Sequence, residues 1–227
     1  MWDWSAYTPK PDTPIDQLLF KIYADKAYNA AYDHDGQKGQ SGVLAAAINS
    51  YSTYKYIHLI GHSAGAKLIH EASKTLAEDK NREGGERPFI YFTFLDAYTQ
   101  DDNDSGKYDR KGYGYLEGYP DHYAEHFVDI GLWYTDACLA SAFNFNITDW
   151  RLVSHQNPDE REGFGHQWPR WWYEHSVTSS GFKYGYPLSL EGSGKNINEL
   201  AKYPAGKQCH LMDEGTICDI LNPPDCW

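Results

Sequence analysis

Tyr56-Ile57-His58-Leu59-Ile60-Gly61-His62-Ser63-Ala64-Gly65-Ala66-Lys67-Leu68-Ile69 is the stretch that decides the fold. Its first five residues form a short apolar run suited to a buried strand. From Ala66 the pattern changes: Leu68, Ile69, Ala72 and Leu76 fall at helical spacing. Between the two lies Gly61-His62-Ser63-Ala64-Gly65. The reading is strand, sharp turn, helix, with a serine at the apex. A turn this tight brings the strand end against the helix start, so a Cβ at either flanking glycine is expected to clash. The serine is expected to be strained, with its Oγ projecting above the sheet, and the helix directs its N-terminal N–H groups and positive dipole end to the same place. Taken alone, the same pattern also fits a Gly-rich β-to-α turn without chemistry.

Working outward, helices are predicted over Pro14 to Tyr32, with Thr13 as N-cap, and over Ser41 to Tyr51, small on one face through Ala45, Ala46 and Ala47. Such a helix suits close packing on a sheet. After the helix ending near residue 78 comes a polar turn region, then Pro88-Phe89-Ile90-Tyr91-Phe92-Thr93-Phe94-Leu95, the clearest strand of the chain, ending at Asp96. Residues 99–120 read as a Tyr-rich loop, His126–Ile130 and Phe143–Val153 as strands, Ser154–Gly165 as loop, and Trp171–Thr178 as helix. Alternating strands and helices predict an α/β fold with a mostly parallel sheet. At 227 residues one domain is expected over 1–227, closed by a loop-like, Cys-containing tail at about 200–227.

Composition narrows the function classes. A 41% hydrophobic content excludes a disordered chain. A net charge of −12 supplies no basic stripe for nucleic-acid phosphates and no adhesion to anionic lipid. No apolar run reaches the ~18 residues of a membrane span. Cys138, Cys209, Cys218 and Cys226 lack the C-x-x-C spacing of a zinc site. Their even number beside Asn222-Pro223-Pro224-Asp225 reads as disulfides in an oxidising, extracytoplasmic compartment, with three connectivities open. Four reduced thiols in a cytosolic protein is the alternative.

A serine hydroxyl becomes a nucleophile when a base removes its proton, and that base is usually a histidine oriented by a carboxylate. Reactive groups in parallel sheets collect at the carboxyl ends of the strands. Two acids satisfy this downstream of Ser63: Asp96, ending the strongest strand, and Asp129, in the next one. Either can instead be an ordinary turn residue. The histidines after Asp96 are His122, His126, His155, His166, His175 and His210. His166 stands in a Gly-containing loop just ahead of an aromatic amphipathic helix, where a catalytic imidazole can be delivered. His155 is its main rival.

With these residues in view, G-x-S-x-G after a strand is the nucleophile elbow of α/β-hydrolases, and the chain resembles the lipase family that includes pancreatic lipases. Four segments carry the likeness: Asp3-Trp4-Ser5, the stretch Ile57–Gly65, Leu95-Asp96-Ala97, and His166 followed by Trp172-Tyr173 and Ser176-Val177. Together they span most of residues 1–178. The resemblance implies an α/β-hydrolase fold with Ser63 as nucleophile, Asp96 as acid, His166 as base and the Ala64 N–H as one oxyanion donor. It implies ester hydrolysis through an acyl-enzyme, on a small-molecule or lipid ester, with neither a metal nor an organic cofactor. It sets Asp129 behind Asp96. Because Asp3-Trp4 matches a position after the family's fourth strand, three earlier strands, a second oxyanion donor and a signal peptide would precede Met1. The chain departs from the family at Ala97, where proline is usual, and in having no Cys pair around a lid before His166. Trp133, Tyr134, Phe143, Phe145 and Trp150 are candidates either to cover the site or to fill the core.

Two other hypotheses remain open at this stage: the same triad acting on a thioester or in acyl transfer, and a non-catalytic binding module built on a truncated hydrolase fold. Weaker patterns carry less. His70-Glu71 lacks the second histidine of a metalloprotease helix, since Lys74 stands there. Asp101-Asp102-Asn103-Asp104-Ser105-Gly106 lacks the closing glutamate of a calcium loop.

Overall fold

The computed structural model describes residues 14–31, 39–51, 54–78, 88–99, 101–102, 107–108, 113–119, 122–128, 135, 139, 141–147 and 166–178. The Asp3-Trp4-Ser5 segment, Thr13, Asp129, Trp133, Tyr134, Trp150, His155, His210, all four cysteines and the tail lie outside these residues, as do the side chains of Phe143, Phe145, His175 and Ser176.

The described elements run α1 (Pro14–Ala30), α2 (Gln40–Tyr51), β1 (Tyr56–His62), α3 (Gly65–Glu78), β2 (Phe89–Leu95), β3 (Asp101–Asp102), β4 (Lys107–Tyr108), β5 (His122–Val128), β6 (Phe143–Asn146) and α4 (Trp168–Thr178). Four strands form one sheet in the order β1-β2-β5-β6, and every pairing is parallel. This is an α/β fold: a small parallel sheet with flanking helices. Among the described residues no helix is long and apolar enough to cross a membrane.

One sheet face meets the helices at β1 and β2. Ile57, Leu59, Ile90, Phe92 and Phe94 alternate onto it and pack with Ile69, Ala72 and Leu76 of α3 and with Ala24 and Tyr28 of α1. Apolar side chains at period 2 on the strands thus meet apolar side chains at period 3.6 on the helix. The opposite face receives α4, where Trp172 and Tyr173 close on Phe127 with ring centroids 5.0 and 6.1 Å apart. The Trp168 indole N–H donates to the carbonyl of Ile147, just past β6, at 2.9 Å. These buried aromatics hold the helix whose preceding turn carries His166.

Several expectations are corrected. Helix α2 turns Ser41, Gly42 and Ala45 inward, whereas Ala46 and Ala47 face solvent, and its partner is α3. Periodicity explains this, because three consecutive residues span 200° of a helix and cannot share one face. The segment read as loop between 99 and 120 contains the two-residue antiparallel pairing of β3 with β4, Asp101 opposite Tyr108 and Asp102 opposite Lys107. Strand β5 begins at His122 rather than His126. Its polar residues disguise it: His122, Glu125 and His126 are all buried, each with a hydrogen-bond partner outside the strand. Thr93 donates its hydroxyl to Glu125 at 2.9 Å, and the His122 Nδ1 pairs with the carbonyl of Tyr119. Such partners offset the cost of burying polar groups. Strand β6 is four residues long, and α4 starts at Trp168, three residues ahead of the expected position.

Candidate active site

The carboxyl ends of the parallel strands are in register, and that register builds the site. His62 is opposite Leu95, and Leu95 is opposite Phe127. Each strand then hands its next N–H to its neighbour. Ser63 N–H donates to Leu95 O at 3.0 Å, Asp96 N–H to Phe127 O at 2.8 Å, and Ile147 N–H to Val128 O at 2.9 Å. Ser63 and Asp96 therefore occupy equivalent positions at the ends of adjacent strands.

Both are strained. Ser63 has φ 55° and Asp96 φ 46°; among the described residues they are the two non-glycine residues with positive φ. For L-residues this region costs roughly 1–2 kcal/mol each, and such strain persists only where surrounding bonds over-determine it. Those bonds are visible. The Ser63 carbonyl accepts from Ala66 N–H at 3.0 Å and from Tyr98 N–H at 3.1 Å. Tyr98, buried, donates its hydroxyl to Asp25 of α1 at 2.5 Å, and its carbonyl accepts the Tyr113 hydroxyl at 3.0 Å. The turn that carries the serine is thus tied to the segment that follows the acid.

The glycines of the elbow divide their roles. A Cβ on Gly61 would lie 2.7 Å from the Gly65 carbonyl oxygen and 3.0 Å from Ala66 Cα. Only glycine permits the strand end to pass so close to the helix start. At Gly65, by contrast, a Cβ would meet no described atom within 4 Å. The expected clash at both flanks is corrected to one: it is Gly61 that must lack a side chain, because the backbone of Gly65 occupies the space.

Asp96 and His166 are brought together. His166 Nδ1 lies 2.5 Å from Asp96 Oδ2, with the imidazole and the carboxylate both buried. A carboxylate accepts, so the ring donates its Nδ1 proton and Nε2 is left as the basic nitrogen. Burial lowers the His166 pKa, which keeps the resting imidazole neutral. The structure ties His166 to the elbow through His62, the residue preceding Ser63, and shows no hydrogen bond between His166 Nε2 and Ser63 Oγ. The His62 Nε2–H donates to the carbonyl of His166 at 2.7 Å, and the two rings lie 4.6 Å apart at 36°. Burial and then the positive charge of His166, when present, lower His62 to about 3. His62 is thus a neutral spacer holding the His166 segment at the elbow.

Ala64 sits where an oxyanion donor is expected. Ala66 N–H and Lys67 N–H close the first turns on the Ser63 and Ala64 carbonyls at 3.0 and 3.2 Å, whereas among the described residues the Ala64 N–H donates to no backbone carbonyl. Among the described residues no three His, Cys, Asp or Glu side chains converge to hold a metal ion. Sequence reasoning missed the supporting role of His62, and that of His126 beneath the Asp96 turn. For His62 the signal was its place inside the glycine-serine motif; for His126, in the interior of a strand, no local signal existed.

Comparison with protein-family models, with curated proteins and with solved structures returns no match.

Proposed function

We propose that this chain is a serine carboxylic-ester hydrolase on an α/β-hydrolase fold, working through Ser63, His166 and Asp96. One observation carries the reading. Among the described residues the two strained non-glycine residues are the motif's serine and the acid that ends the next strand, at the ends of neighbouring parallel strands, and the acid holds a buried histidine by Nδ1. Structural turns have no need of this combination.

In the proposed reaction Ser63 Oγ attacks the ester carbonyl while His166 Nε2 takes its proton. Asp96 steadies the imidazolium through the Nδ1–H bond. The oxyanion accepts from the Ala64 N–H, a kind of donor worth about 10²–10³ in rate. Collapse of the tetrahedral adduct breaks the ester C–O bond, and His166 returns the proton to the departing alcohol. Water, deprotonated by the same imidazole, then hydrolyses the acyl-Ser63 ester. The serine strand β1 is the edge of the described sheet, where further strands can add.

The test is turnover of a short-chain aryl ester with covalent labelling by a fluorophosphonate. Ser63→Ala is expected to abolish both; full residual activity in that variant refutes the assignment.

A further inference from the structure

The Asp96 turn is held from below by a buried pair that the reaction does not touch. The N–H of Ala97 donates to His126 Nε2 at 3.2 Å. A backbone N–H can only donate, so Nε2 carries the lone pair and the ring proton resides on Nδ1. That nitrogen faces Asn144 Oδ1 at 3.0 Å. The orientation of the Asn144 amide is settled by its other bonds: Nδ2 donates to the carbonyls of Leu139 and Ala142 at 3.0 and 2.9 Å, and Oδ1 also accepts the Leu139 N–H at 2.8 Å. His126 and Asn144 are both fully buried.

We propose that His126 and Asn144 are positioning residues for Asp96, a tautomer-locked clamp that holds the strained acid turn in the geometry that grips His166. Three consecutive N–H groups leave β2 toward three anchors: Asp96 to Phe127 O, Ala97 to His126 Nε2, and Tyr98 to Ser63 O. The middle anchor is a side chain, and it accepts only while neutral and only with its proton on Nδ1. Burial, opposed by the Asn144 hydrogen bond, lowers His126 to about 4, in keeping with a neutral ring. The opposite tautomer, or the imidazolium, would set Nε2–H against Ala97 N–H. The turn would then lose an anchor, and φ at Asp96 could relax from 46° toward the ordinary negative range.

This inference rests on the ester-hydrolase reading, so its test includes readouts that need no turnover. Two-bond ¹H–¹⁵N correlation at neutral pH, with the resonance assigned by its loss in His126→Gln, is expected to show His126 protonated at Nδ1; protonation at Nε2 overturns the clamp. The His166 Nδ1 proton, in its 2.5 Å bond to Asp96, is expected as a strongly deshielded signal. It should persist in His126→Gln, whose amide can accept from Ala97 and donate to Asn144. It should shift upfield or vanish in His126→Leu and in Asn144→Ala. If the wild type hydrolyses esters, the same two disruptive variants are expected to lose about 10- to 100-fold in kcat with little change in KM, as a misplaced catalytic group does, and His126→Gln is expected to retain kcat. Disruptive variants that melt earlier but keep wild-type kcat and the deshielded signal show a purely structural pair and overturn the proposal. A wild type that neither hydrolyses esters nor takes up a fluorophosphonate sinks the hydrolase reading instead, while the tautomer and the deshielded proton still decide the clamp.

Discussion

Replacing Gly61 by alanine, beside the same change at Gly65, tests the elbow from within. The Gly61 Cβ would lie 2.7 Å from Gly65 O, 2.8 Å from Gly65 C and 3.0 Å from Ala66 Cα. All three are main-chain atoms, so no side chain can swing aside. Carbon–oxygen contacts settle at about 3.5 Å, so the first turn of α3 must retreat by several tenths of an ångström. That retreat stretches the Ala66 N–H bond to the Ser63 carbonyl, 3.0 Å in the intact turn, and carries the Ala64 N–H with it. Overpacking of this kind costs about 1–3 kcal/mol, which for a chain of this size lowers Tm by roughly 3–10 °C. A displaced donor is expected to cut kcat by about 10- to 100-fold. Gly65→Ala adds a methyl that meets no described atom within 4 Å at the first residue of a helix, where alanine is favoured by up to about 1 kcal/mol. Its Tm is expected to hold or rise slightly. Thermal melts and aryl-ester turnover on both variants decide the matter. Equal damage at the two glycines, or a Gly61→Ala protein that melts and turns over as wild type, refutes the reasoning.

The remaining expectations concern the triad and acid. Asp96→Asn keeps the shape of the site but removes the negative charge that steadies the His166 imidazolium, so kcat is expected to fall by about 10³–10⁴-fold; a loss below tenfold would assign the acid's role elsewhere. Stability should decline as pH drops. His70 and His126 are buried, and burial lowers them from 6.5 to about 3 and 4. The unfolded chain takes up these protons as pH falls through 6.5, whereas the folded chain resists until about 3–4, so the unfolded state binds more protons across that window. Each group then removes about 2 kcal/mol at pH 5, a large share of an ordinary domain's 5–15 kcal/mol. Melts at pH 7 and pH 5 are expected to differ by many degrees, and coincident curves would refute the neutral burial of these rings.

Much of the candidate site was legible because its signals are local. Gly61 to Gly65 announce a strand-to-helix turn whatever surrounds them, since the clash at Gly61 involves atoms only four and five residues away. Asp96 ends a run of seven buried residues, Phe89–Leu95, so its position at a strand's carboxyl end could be read directly. His166 stands out by its Gly-containing loop ahead of an aromatic amphipathic helix, and the structure seats its ring on Asp96.

What sequence alone could not decide was which polar residues go inside. Glu125 and His126 break the apolar pattern of β5, yet they are interior, because Thr93 and Asn144 arrive from elsewhere to bond them, whereas His122 bonds the carbonyl of Tyr119 only three residues back. Burial of an apolar side chain needs only its own chemistry. Burial of a polar one needs a partner at about 3 Å, and the folded arrangement of distant segments determines whether that partner is there. The same holds for the tautomer of His126 and for the grip of Asp96 on a ring 70 residues away.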